Sequence, residues 1–211
     1  MQKVLNLNWQ QNIKVNEEFF VSSCNFDAYN TLMKHDWDRL IIIGDGRSGK
    51  TTLAKVWQKN QKGQSCSSLH DLNQKDYINN IVVDNIENVD VYDLLHIINY
   101  ASEHNIQLLM LASKYPSFTL PDLKSRLNST LKVMIKFPDI ELAKKLIVKL
   151  FADKQIKIGS EQVDYIVGDI DREYDKIEYI VNYIDKMAET LGKKITLSTI
   201  KELMINYTEK I

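Results

Sequence analysis

Eight consecutive residues hold the densest chemistry in the chain: Gly44, Asp45, Gly46, Arg47, Ser48, Gly49, Lys50 and Thr51, spelling G-x-x-x-x-G-K-T. Glycines at that spacing let backbone N–H groups turn inward around a phosphate. Lys50 can then reach the outer phosphates, and Thr51 can offer its hydroxyl to Mg²⁺. The motif needs a strand to deliver it and a helix N-terminus to receive it, because the helix dipole adds positive potential at the phosphate. Both are written in the sequence. Residues 40–43, Leu-Ile-Ile-Ile, form an apolar run of β type. The stretch from Thr52 to Trp57 carries apolar side chains at helical spacing, and the helix is expected to run to about Gln58.

Further chemistry lies downstream. Ile81-Val82-Val83-Asp84 reads as an apolar strand that carries one carboxylate to the sheet edge, where Asp84 would stand near Thr51 and Mg²⁺. Hydrolytic enzymes of this kind usually place a second acid next, to polarise the attacking water. Here that position is Asn85, and an amide takes no proton, so negligible hydrolysis by the isolated chain is expected. Glu87 stands two residues further on. Ser113 ends the next strand, where P-loop ATPases often keep a polar residue that senses the γ-phosphate. Arg126 follows a polar loop and precedes a strand. Its guanidinium could supply a fixed planar charge to a phosphoryl group in transfer; a surface salt bridge, with Asp122 nearby, is the plainer alternative. His35, His70, His96 and His104 make no metal spacing.

The elements that must position these groups alternate in type. Beyond the strands at 40–43 and 81–84, residues 107–112 read as a buried strand, 131–135 as a last strand and 65–69 as a short one. Helices are expected around Ala28 to Met33 and over 91–104. Residues 117–128 read as a loop with one helical turn. Strands alternating with helices indicate a parallel sheet covered on both faces. Pro138 changes the texture: Asp139 and Ser160 are N-cap types, Gly192 is a stop, and 139–153, 160 onward, 172–191 and 197–206 read as helices. The domain reading is an extended arm over 1–16, a β/α nucleotide-binding domain over 17–137, and an all-helical lid over 138–211.

Composition sets outer bounds. The chain has 211 residues, 44% hydrophobic and 26% charged, enough to bury a core. With 27 basic against 28 acidic residues, it lacks the basic excess of a nonspecific DNA binder. Cys24 and Cys66 read as free thiols in a reducing cytosol, and no apolar run approaches the roughly 18 residues of a membrane span.

Several strings are specific enough to carry a resemblance. Phe19-Phe20-Val21-Ser22-Ser23-Cys24-Asn25, the P-loop, Val83-Asp84-Asn85-Ile86-Glu87 and Ala112-Ser113-Lys114-Tyr115-Pro116 occur in that order. Leu120-Pro121-Asp122-Leu123-Lys124-Ser125-Arg126-Leu127 and Phe137-Pro138-Asp139 follow. Together they resemble the DnaA branch of the AAA+ ATPases, and within it the Hda-type regulators, which lack the DNA-binding domain. The resemblance implies an AAA+ P-loop parallel-sheet domain followed by a small helical lid. It implies ADP or ATP as ligand, with Phe20 and Val21 beside the adenine, residues 44–51 and Thr52 around the phosphates, and Thr51 and Asp84 at Mg²⁺. Ser113 would be the sensor-1 residue, and Arg126 an arginine finger acting in trans on a neighbour's nucleotide.

The implied function is cytoplasmic: with the DNA-loaded sliding clamp, such a regulator makes DnaA hydrolyse its bound ATP and so restrains re-initiation of replication. The implied partners are DnaA, the clamp and a second copy of the chain, without sequence-specific DNA contact or a membrane. The clamp would be held by Leu5 and Leu7, with Trp9 as an aromatic anchor, although the motif's glutamine is missing from its place and Gln2 lies two residues off. The family's sensor-2 arginine falls at Asp175, where a carboxylate would repel phosphate. Two other readings stay open: a self-contained P-loop ATPase of helicase-loader type, and an adaptor in which nucleotide is a structural plug.

Overall fold

A computed structural model describes residues 14–16, 19–61, 64–65, 80–115 and 117–208. The clamp-binding segment with Leu5, Leu7 and Trp9, and most of the strand expected over 65–69, lie outside these residues. The described residues divide into two compact units, the first within 13–136 and the second within 137–208.

The first unit is built on a five-stranded parallel sheet. Its strands are β3 (Arg39–Ile43), β4 (Gln64–Ser65), β5 (Ile81–Val83), β6 (Leu108–Ala112) and β7 (Leu131–Met134), in the order β4-β5-β6-β3-β7. A two-stranded antiparallel ribbon, β1 (Lys14–Asn16) and β2 (Phe19–Phe20), stands apart from it. β3 is flanked by strands from later in the chain on both sides, and its residues 40–43 are buried. That explains its unbroken apolar run: a strand covered on both faces has no solvent side to mark with polar residues. Strand order reverses at β3, and in open parallel sheets such a reversal leaves a crevice beyond the carboxyl ends of the strands. The P-loop leaves β3 at that point.

Helices α1 (Phe26–Lys34) and α2 (Lys50–Gln61) pack beside β7 and β6 respectively. α3 (Val91–Glu103) and α4 (Pro121–Asn128) share a buried cluster with alternate strand residues, among them Ile41, Ile43, Val83 and Met110 with Leu94 and Leu123. The period of two along each strand puts these residues on one face. α3 starts where Asp90 accepts hydrogen bonds from the N–H groups of Tyr92 at 2.8 Å and Asp93 at 3.2 Å. α2 extends three residues past the expected end at Gln58.

Two expectations in this part of the chain need correction. The stretch read as a loop with one helical turn contains an eight-residue helix, α4. Pro121 occupies its first turn, where the missing N–H costs nothing and the fixed φ favours the helix. Leu123 and Leu127, four apart, are buried and supply its inner face. Arg126 is therefore a helical residue, not a loop residue.

The second unit holds α5 (Ile140–Asp153), α6 (Ser160–Asp169), α7 (Tyr174–Thr190) and α8 (Leu197–Thr208). Residues such as Ile147, Phe151, Ile166, Ile180, Ile184 and Leu203 form its own core. Asp139 caps α5 as expected, accepting from the Leu142 N–H at 2.8 Å. The cap of α6 falls one residue earlier than read: Gly159 precedes the helix and donates its N–H to Gln162 at 2.5 Å. α7 begins at Tyr174 rather than at Arg172 and stops before Gly192, which takes φ 60°. None of the described helices is long and apolar enough to cross a membrane.

Candidate nucleotide-binding site

The loop between β3 and α2 closes on itself around the Lys50 side chain. Its ammonium donates to the carbonyls of Gly44 at 2.5 Å and Asp45 at 2.7 Å, and to Ser48 Oγ at 3.4 Å. Lys50 is buried, and desolvation pushes its pKa down against the opposing pull of Asp84, Glu87 and Asp45. The loop thus holds a cation at its centre, with carboxylates around it.

Two glycines make this closure fit. A Cβ at Gly44 would come within 2.9 Å of Ser48 Oγ and 3.1 Å of Ile135 Cβ. Gly49 takes φ +88°, and a Cβ there would stand 3.0 Å from Cε2 of Phe19. Only glycine adopts that backbone freely. The Phe19 ring therefore packs against the phosphate loop; sequence reasoning had singled out its neighbours Phe20 and Val21 instead. Val21 is buried and Phe20 partly so, and Asn25 fixes this segment by donating to the Phe20 carbonyl at 2.9 Å and accepting from the Ser22 N–H at 2.8 Å. The hydrophobic pair Phe19-Phe20 signalled an ordered segment, but not which ring turns inward. Thr52 lies in the first turn of α2, half-buried.

Asp84 and Thr51 meet as expected. The Thr51 hydroxyl donates to Asp84 Oδ2 at 2.8 Å, joining the end of β5 to the start of α2 across 33 residues. A hydroxyl and one carboxylate suit Mg²⁺ that takes its remaining ligands from phosphate and water. A cage of protein ligands is not built: among the described residues no cluster of three or more His, Cys, Asp or Glu could hold an ion.

Asn85, read as a lost acid, has a conformational role. It takes φ 50° and ψ 56°, the left-handed region that asparagine tolerates better than most residues, and its N–H donates to Asp84 Oδ1 at 2.8 Å. This bend and the 3-10 turn over Ile86–Asn88 bring Glu87 back toward β6, where its Oε1 accepts from the Ser113 N–H at 2.9 Å and from the Ser113 hydroxyl. Burial pushes the Glu87 carboxyl up. The hydrogen bonds from Ser113 and from its own backbone, with the charge of Lys50, outweigh that and hold it below the usual value. Glu87 is the residue that reading along the chain undervalued, because the turn that returns it is not visible as a spacing.

Arg126 lies near the C-terminal end of α4, and its backbone is pinned: its carbonyl accepts from Ser129 Oγ at 2.9 Å and Thr130 Oγ1 at 2.8 Å. The Arg126 Nε forms an ion pair with Asp122 Oδ1 at 3.1 Å, so the salt bridge weighed from the sequence is present. In the second unit, Asp175 sits in the first turn of α7, while Lys176 pairs with Asp171 at 2.6 Å and Glu173 at 3.2 Å.

The parallel sheet with the loop at its strand-order reversal, and the separate helical unit, have the fold of AAA+ P-loop domains. Comparison with solved structures gives the closer likeness. Domain III of the replication initiation protein DnaA from Thermotoga maritima matches with a TM-score of 0.69 at 18% identity, covering 92% of this chain and 97% of that one. AMPPCP-bound DnaA from Aquifex aeolicus matches with a TM-score of 0.61 at 18% identity, covering 82% of this chain and 66% of that one. A RuvB variant from Thermotoga maritima matches with a TM-score of 0.63 at 13% identity, over 86% of this chain and 66% of that one. No family model matches the sequence.

Proposed function

We propose that the chain is an adenine-nucleotide-binding regulator of replication initiation, of the Hda type, that promotes hydrolysis of ATP held by DnaA. The observation that carries this is the joined phosphate and metal site, with Lys50 at the loop centre and Thr51 bonded to Asp84, set in a fold shared with DnaA domain III. An AMPPCP-bound DnaA among the similar structures supports an adenine nucleotide as ligand. Residues 44–51 and Thr52 surround the phosphates, Ser113 senses the terminal one, and Phe20 and Val21 flank the base. Thr51 and Asp84 would hold Mg²⁺, which would supply charge neutralisation at the phosphates. Arg126 acts in trans on the nucleotide of DnaA, and Leu5, Leu7 and Trp9 contact the sliding clamp.

Transition-state stabilisation by a finger of this kind contributes about 10³–10⁵ in rate. The test is DnaA's ATP turnover with the DNA-loaded clamp, with and without this protein and its Arg126→Ala variant. Stimulation by wild type and its loss in the variant, with nucleotide affinity retained, supports the reading. Equal stimulation by both removes Arg126 from the mechanism, and no stimulation by wild type ends the regulatory reading. The Arg126–Asp122 ion pair favours one rival, an adaptor whose nucleotide is a structural plug. An adaptor retains both DnaA and the clamp in a pull-down while leaving turnover unchanged.

A further inference from the structure

Ser113 has one hydroxyl proton, and it goes to Glu87. The Ser113 backbone N–H donates to the same oxygen, Oε1, at 2.9 Å, while the other oxygen, Oε2, is buried and has no hydrogen-bond partner among the described residues. A carboxylate held at one oxygen and dry at the other is costly, and a buried polar atom left without a partner calls for an explanation. Glu87 nevertheless stays ionised, with Lys50 close enough for each to influence the other's charge. Topology places the pair beside the phosphates. β6 lies between β3 and β5, so Ser113 stands between the P-loop and the turn that carries Glu87. The Gly44 N–H donates to the Ala112 carbonyl at 3.1 Å, tying the start of the loop to the residue before Ser113.

We propose that Glu87 sets the selectivity between nucleoside diphosphate and triphosphate by competing with the terminal phosphate for the Ser113 hydroxyl. This rests on residues 44–51 being the nucleotide site. One O–H cannot donate to two acceptors at once. A phosphate long enough to reach Ser113 must take the proton from Glu87 and then stand beside its negative charge. A diphosphate ends one phosphoryl group short and meets neither obstacle. Glu87 therefore weakens triphosphate binding relative to diphosphate binding, without touching the nucleotide's base or sugar.

The experiment is calorimetry of ADP and AMPPCP, each with Mg²⁺, on the full-length nucleotide-free chain. Glu87→Ala is expected to raise the affinity for AMPPCP relative to ADP about tenfold, the effect of one lost charge-assisted competitor. Glu87→Gln keeps an acceptor for Ser113 but removes the charge, and is expected to give a smaller gain. Being nearly isosteric, it carries the test if the alanine variant does not fold. Adding Ser113→Ala to either variant is expected to remove most of the gain. An unchanged AMPPCP-to-ADP ratio with ADP still bound overturns the proposal and leaves the nucleotide site standing. Equal weakening of both nucleotides also overturns it. A wild-type chain that binds neither nucleotide overturns both.

Discussion

Glu87 shows how a single side chain can be charged, half-dry and still stabilising. Its carboxyl lies below the ordinary 4.5 because, against desolvation, the donors from Ser113 and the charge of Lys50 prefer the ionised form. A group with a depressed folded pKa contributes stability above its unfolded value and loses it as pH falls through the folded value. The wild-type chain should therefore exceed Glu87→Gln in thermal midpoint near neutral pH, with the gap narrowing as pH is lowered below about 4.5. Melting curves of the two proteins across that range check this; a gap that widens on acidification would contradict the arrangement. Asn85 makes a related point. It removes an acid, yet the left-handed bend it allows is what returns Glu87 to the sheet edge.

At the scale of elements, the phosphate loop depends on close approaches that leave no room for a Cβ. Gly49→Ala combines a positive φ with a 3.0 Å approach to Phe19. It should cost about 1–3 kcal/mol, the usual range for a backbone forced into a sparsely populated region, and should weaken nucleotide binding. Gly168 provides the contrast: it lies within α6, and a Cβ there meets nothing within 4 Å. Gly168→Ala should stabilise by about 0.4–1 kcal/mol. Chemical denaturation of both variants measures the two signs. α4 is governed by the same local logic at its other end. The Lys132 ammonium donates to the carbonyls of Leu127, of Asn128 at 3.2 Å and of Thr130 at 3.0 Å, fixing the turn after Arg126.

At the scale of the whole molecule, each unit has its own core, and tryptophan distinguishes them. The three tryptophans are Trp9, Trp37 and Trp57; residues 137–211 contain none, and in a Trp9→Phe background the signal comes from residues 13–136 alone. Trp37 and Trp57 lie with ring centroids 5.4 Å apart in the first unit, and Trp57, on α2, donates to His35 Nδ1 at 3.3 Å. Their fluorescence should report unfolding of the unit that carries the P-loop. A ligand that binds only the folded state at 100 times its Kd adds about 2.7 kcal/mol. ADP at that excess should raise the tryptophan-reported midpoint by several degrees in wild type and leave Lys50→Ala unmoved. An equal shift in the variant would place the nucleotide elsewhere.

The sequence by itself determined the local chemistry. G-x-x-x-x-G-K-T between an apolar run and a helical pattern marked the phosphate loop, and Ile81-Val82-Val83-Asp84 marked a strand ending in a carboxylate, because both depend on short-range order along the chain. The bond from Thr51 to Asp84, across 33 residues, forms only when the sheet brings β5 beside the loop. The apolar runs likewise marked the buried strands, since a strand covered on both faces must be apolar throughout. Other features waited on the tertiary structure. The order β4-β5-β6-β3-β7 decides that Ser113 lies between loop and acid, and no spacing encodes strand order. Whether Phe19 or Phe20 turns toward Gly49 depends on how β2 sits, since adjacent strand residues point to opposite sides. Glu87 reaches Ser113 only because a left-handed residue and a 3-10 turn fold it back across 26 residues of sequence. Such pairings are set by the packing of distant segments, and that packing exists only once the sheet has formed.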